Sequence, residues 1–135
     1  MDTGPALVSI LRQGPYLIAS VHTALDDSQM LRFQHDLIHQ IGQHRSSGII
    51  IDVAALDVLD SFGSRTLSDI AEIARLRGAT TVIVGIQPNV AFALVELGMD
   101  ARALHTALDL EEGLAYLARL KGPAVPTQSG PMSAP

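Results

Sequence analysis

The chain has 135 residues, a formal net charge of −5, 47% hydrophobic and 17% charged residues, and no cysteine. This length fits one domain with a real core, and with aromatics at only 4% that core must be aliphatic. The acidic balance and the scatter of the nine basic residues argue against nucleic acid as main partner. The missing cysteine excludes a disulfide scaffold and a thiolate metal site, and no apolar run approaches the ~20 residues of a membrane helix.

The first five residues, Met1 to Pro5, show no basic region leading into an apolar stretch, so no signal peptide is expected and a cytoplasmic location follows. Ala6 to Leu11 is apolar with a polar break at Ser9, Gly14-Pro15 signals a turn, and Tyr16 to Val21 is β-rich. These segments predict an opening hairpin. Asp26-Asp27-Ser28 supplies N-cap chemistry, after which Met30, Phe33, Leu37, Ile38 and Ile41 recur at helical spacing. Gly42 and Ser46-Ser47-Gly48 are expected to end that helix.

Ile49 to Val53 reads as a strand covered on both faces. The next helix is predicted from Gly63 to Gly78, burying Phe62, Leu67, Ile70, Ala71, Ile73 and Ala74. Thr80 to Ile86 is a further β-branched run, and Pro88 opens a helix over Val90 to Leu97 that stops at Gly98. A weak strand is predicted near Leu104 to Ala107, and a last helix from Asp109 to Lys121 carries Glu111 and Glu112 at its start. Residues 122–135 are rich in Pro, Gly, Ser and Thr and are expected to be a disordered tail, leaving 1–121 as the domain. Strands and helices alternate after the hairpin. The expected fold is α/β, a mixed sheet of four to five strands covered by about four helices.

The most informative motif is Asp60-Ser61-Phe62, at the junction of the central strand with the second helix. A serine there is placed to cap the helix, with its oxygen among unpaired N–H groups at the positive end of the dipole. A phosphate on it would keep those contacts and add about −1.5 to −2 charge to the surface. Other chemistries are weaker. A hydrolase using Ser61 would need a base and an orienting acid, and none of His22, His35, His39, His44 and His105 lies in a catalytic motif. His35 and His39 share a helix face, but a zinc site needs three or four ligands, so a solvated face is the better reading. Gly85-Ile86-Gln87-Pro88 lacks the glycine run and lysine of a phosphate loop. Asp52, Asp57 and Asp60 cluster after the central strand, where acids can hold magnesium, although capping and loop solubility account for them.

The order and spacing of several stretches carry a resemblance over about Val8 to Leu120. They are Leu25-Asp26-Asp27, Ile51-Asp52-Val53 with Asp60-Ser61-Phe62, Val84-Gly85-Ile86-Gln87-Pro88, Leu94-Val95-Glu96-Leu97-Gly98, and Ala107-Leu108-Asp109-Leu110-Glu111-Glu112-Gly113-Leu114. The chain resembles STAS domains, the anti-sigma-factor antagonist family, and within them the RsbS-type scaffold of the stressosome. The resemblance implies a non-enzymatic, cytoplasmic partner-switching protein with no cofactor. It implies phosphorylation at the position matching Ser61 by an RsbT-type serine kinase, which is held until that modification and then released. It implies co-assembly with RsbR-type STAS proteins, as homo- and hetero-oligomers, and resetting by an RsbX-type phosphatase. The partner surface would comprise Asp60, Ser61, Phe62, Gly63 and Arg65. RsbR-type proteins carry an extra N-terminal sensor domain and usually threonine at the switch. This chain starts at the first strand and has serine. Where the family usually has a bulky aliphatic residue, Gly63-Ser64 follows, which is expected to loosen the first turn and makes Ser64 a second candidate acceptor. The alternative is a free-standing anti-sigma-factor antagonist that binds an anti-sigma-factor kinase directly.

Overall fold

The structure, a computed structural model, describes residues 7–96 and 104–121. Five strands and four helices follow in the order β1 (Val8–Gln13), β2 (Tyr16–Val21), α1 (Asp27–His44), β3 (Gly48–Asp52), α2 (Ser61–Leu76), β4 (Thr80–Val84), α3 (Pro88–Glu96), β5 (Leu104–Ala107) and α4 (Leu110–Lys121). The sheet order is β1-β2-β3-β4-β5, with β1 antiparallel to β2 and the other pairs parallel. The expected tail, the C-terminal end of the α3 helix at Leu97 and its stop at Gly98 lie outside the described residues.

Alternation along the strands builds two cores. Leu17, Ala19 and Val21 of β2, Ile49 and Ile51 of β3 and Ile83 of β4 point to one face, where they pack with Phe33, Leu37, Ile41, Leu67 and Ile70 of α1 and α2. Ile18, Ile50, Val82 and Val84 point to the other, under Leu117 of α4. This two-period pattern explains why β3 and β4 read as unbroken apolar runs, since both faces of a parallel sheet are covered. The core is aliphatic, as composition requires, with Phe33 the one aromatic among the buried core members of the described residues.

Helix α1 is capped by Asp26, whose carboxylate accepts from Gln29 N at 2.8 Å while the Gln29 side chain accepts from Asp26 N at 2.8 Å. This reciprocal pair is a capping box. The helix does not end at Gly42. It continues to His44 and stops at Arg45, which adopts a left-handed conformation with φ 50°. Gly42 lies inside the helix, where the Arg77 guanidinium lies over it. Helix α2 ends in the basic-then-glycine manner expected, with Arg77 at the C-cap and Gly78 at φ 85°.

Candidate functional site at the start of the second helix

The parallel strands β2 to β5 deliver their carboxyl ends to one edge of the sheet, and the connections that follow carry the residues singled out above. Leaving β3, the Asp52 carboxylate accepts from Ala54 N at 2.9 Å. Val53 N donates to Val84 O at 3.0 Å, and Leu56 N donates to Val53 O at 2.9 Å. The chain thus stays pinned to the neighbouring strand for one residue beyond β3 before it turns outward. Asp52 has its carboxylate in this local turn. The sequence had left open a metal or acid–base use for it. Among the described residues no group of three or more His, Asp or Glu stands where it could hold a metal ion.

A second tie comes from β4. Gly85 sits at φ 77°, and a Cβ there would lie 2.8 Å from Ala54 Cβ and 3.1 Å from Ala54 N and Cα. Only glycine combines that backbone conformation with that approach. Beyond it, Gln87 Nε2 donates to Ala54 O at 2.6 Å. The Gly-Ile-Gln-Pro turn is therefore a clamp on the loop between β3 and α2, through a partner 33 residues away that no local pattern reveals.

The cap of α2 corrects the sequence reading. Asp60, not Ser61, is the N-cap: its backbone is extended at φ −84°, ψ 178°, and its Oδ1 accepts from Gly63 N at 2.7 Å. Asp60 O takes the next amide, Ser64 N, at 2.9 Å. Serine and aspartate are near-equal caps, so propensity does not separate adjacent candidates. The tethered loop decides by fixing which residue is extended when the helix starts. Ser61 becomes the first helical residue, two positions ahead of the predicted start. It is exposed, and its hydroxyl has no hydrogen-bond partner among the described residues.

The rest of the first turn is packed. Phe62 and Leu59 are half-buried against the core. Gly63 is buried, and a Cβ on it would lie 2.8 Å from Leu59 Cδ1 and 3.1 Å from Asp60 Oδ1. The glycine that was expected to loosen this turn instead lets Leu59 and the capping carboxylate close over it. Thr66 Oγ1 donates to Phe62 O at 2.8 Å. Ser64 is only 3% exposed, and its Oγ has no hydrogen-bond partner. Arg65 is exposed and lies four residues beyond Ser61, so the two share a helix face.

The histidines are elsewhere engaged. His22 bonds Ser9 at 2.8 Å, His44 bonds Arg12 at 3.2 Å, and His105 bonds Tyr116 at 2.9 Å. His35 and His39 are exposed on α1. The described part of the site therefore offers Ser61 no histidine hydrogen bond. It presents instead an unengaged hydroxyl at the positive end of a 16-residue helix, on a turn held from three directions.

Comparison with known proteins now gives the class. The STAS domain model matches residues 8–113, and the chain belongs to the STAS-domain family. Within it, the chain is similar to RsbS of Moorella thermoacetica, solved as a serine-to-glutamate variant, at 38% identity and a TM-score of 0.77 over 86% of this chain and 98% of that one. It is similar at 35% identity and a TM-score of 0.71 to a chain from the molecular architecture of the stressosome, a signal integration and transduction hub, covering 84% and 99% of the two. Among curated proteins, the RsbT co-antagonist protein RsbRA of Bacillus subtilis is 29% identical over 90 residues, 67% of this chain and 33% of that protein. The chain thus spans about a third of the length of that relative.

Proposed function

We propose that this STAS domain is a non-enzymatic scaffold that binds and sequesters an RsbT-type serine kinase and releases it when Ser61 is phosphorylated. It co-assembles with RsbR-type STAS proteins, and an RsbX-type phosphatase restores the unmodified state. The observation that carries this reading is the placement of Ser61. It is exposed, unbonded among the described residues, and first in a helix whose cap is supplied by a different residue. A modification of Ser61 therefore leaves the cap intact. The similarity to RsbS over nearly all of that protein supports the same reading.

The energetics follow from position. A phosphate at the first turn gains about 0.3–1 kcal/mol from the dipole at an exposed site. The amides of Ser61 and Phe62 have no acceptor among the described residues and face that end of the helix. Arg65, one turn on, adds a guanidinium on the same face. The domain accordingly stays folded when modified. A docked kinase fares differently, because the nucleotide that donates the phosphate must sit opposite Ser61, and the product dianion then faces the remaining phosphates. Like charges juxtaposed across an interface cost several kcal/mol, and each ~1.4 kcal/mol is tenfold in affinity. A loss of about two to three decades follows.

Ser64 is the weaker acceptor, since a kinase would have to unpack the first turn to reach a side chain that is 3% exposed. The test is a pull-down of the cognate RsbT-type kinase with Ser61→Asp, Ser61→Ala and Ser64→Ala chains. Retention by the two alanine variants and loss by the aspartate variant is expected. Equal retention by Ser61→Asp and Ser61→Ala would refute the switch.

A further inference from the structure

Beside the cap of α2 the surface opens into an apolar groove of about 210 Å³. Leu25, Met30, Val53, Leu59 and Leu67 form its walls and floor, and Val58, 59% exposed, stands at its mouth. Asp60 and Gly63 complete the lining, so the groove is continuous with the turn that carries Ser61. Its volume is below the roughly 300–1,000 Å³ of small-molecule sites and suits a single side chain.

Its one charged lining residue is Asp60. Asp26 and Asp27 follow the lining residue Leu25, Asp57 precedes Val58, and Asp60 itself lines the groove; all four are exposed. No lysine or arginine is among the lining residues. An exposed valine beside an apolar hole, with Asp60 in its lining and Asp26, Asp27 and Asp57 next to lining residues in the chain, matches an apolar anchor set among basic residues.

We propose that this groove receives one apolar side chain of the partner kinase, presented on a segment that carries lysine or arginine. The inference rests on the reading of Ser61 as a kinase-facing switch and names how the kinase is held there. The groove gives grip and these carboxylates give orientation. A phosphate on Ser61 acts at the edge of that grip, beside an anchor that must stay dry.

The experiment measures the affinity of the purified cognate RsbT-type kinase for five full-length chains: wild type, Val58→Glu, Ala24→Phe, Asp57→Asn and Leu31→Glu. Ala24 is exposed at the groove, so phenylalanine there plugs it without repacking the core. Leu31 is 51% exposed on α1, outside the lining, and serves as the control. Val58→Glu and Ala24→Phe are expected to weaken binding at least tenfold while melting temperatures hold, and Leu31→Glu to bind as wild type. The wild-type affinity is expected to fall with added salt, and less steeply for Asp57→Asn. Wild-type affinity in both groove variants overturns the inference and leaves the Ser61 switch standing. Wild-type chain that does not bind the kinase at all overturns the switch reading and this inference with it. Groove variants that alter only self-association in sedimentation assign the groove to a second copy and also overturn it.

Discussion

Gly85→Ala is expected to weaken the fold where the turn after β4 packs on the loop between β3 and α2. Two costs are legible. An L-residue held in the left-handed region costs about 1–2 kcal/mol, and Gly85 sits at φ 77°. The added Cβ would lie 2.8 Å from Ala54 Cβ and 3.1 Å from two Ala54 backbone atoms, so a flexible side-chain end cannot simply swing aside. Overpacking of this kind costs about 1–3 kcal/mol, giving a total of about 2–5 kcal/mol. With a urea slope of about 1–3 kcal/mol/M for a small domain, the midpoint should fall by at least about 0.7 M. The melting temperature should drop by at least about 8 °C, at roughly 4–8 °C per kcal/mol. Adding Ala54→Gly removes the Cβ–Cβ clash and should recover part of the loss, but not the backbone part. A midpoint for Gly85→Ala within about 0.3 M of wild type would show that the turn is not constrained as described.

Asp60→Ala removes the α2 cap and should cost about 1 kcal/mol, whereas Asp60→Asn should cost little; equal losses in urea denaturation would mean that the carboxylate does not cap. Asp26 has its pKa lowered by the hydrogen bond from Gln29 N and then by that from Ser28. A depressed folded pKa means stability that is present above the unfolded value of about 3.9 and lost as pH falls below it. Thermal melts between pH 6 and pH 3 should therefore show a shallower acid loss for Asp26→Asn than for wild type, and identical slopes would count against the capping box.

How much of this was legible in sequence depends on whether the determining contact was local. The strands β3 and β4 follow from unbroken β-branched runs, and of the expected α1 stripe Met30, Phe33, Leu37 and Ile41 are buried while Ile38 is only partly so. Even β5, a four-residue strand, falls at the predicted Leu104 to Ala107. The junction at residues 60 to 64 was harder, because its outcome is set from a distance. Asp and Ser compete on equal terms for the cap, and only the ties of Val53 to Val84 and of Gln87 to Ala54 place the loop so that Asp60 wins. Gly63 looked like a helix weakness and is a packing site for Leu59, which no periodicity reveals. One available signal was the spacing Asp60-x-x-Gly63, a capping acid followed three residues on by an amide donor with no side chain in the way. The groove was invisible because its lining comes from β2, the loop after it, α1, the loop between β3 and α2, and α2.

The central claim is that a phosphate on Ser61 changes the partner surface and not the fold. The most direct measurement is the dissociation constant of the cognate kinase for the unmodified chain and for chain phosphorylated stoichiometrically at Ser61, with circular dichroism on both. The expected result is affinity weaker by about a hundredfold or more with superimposable spectra and melting temperatures. Equal dissociation constants, or a modified chain that has lost its helical signal, would contradict it.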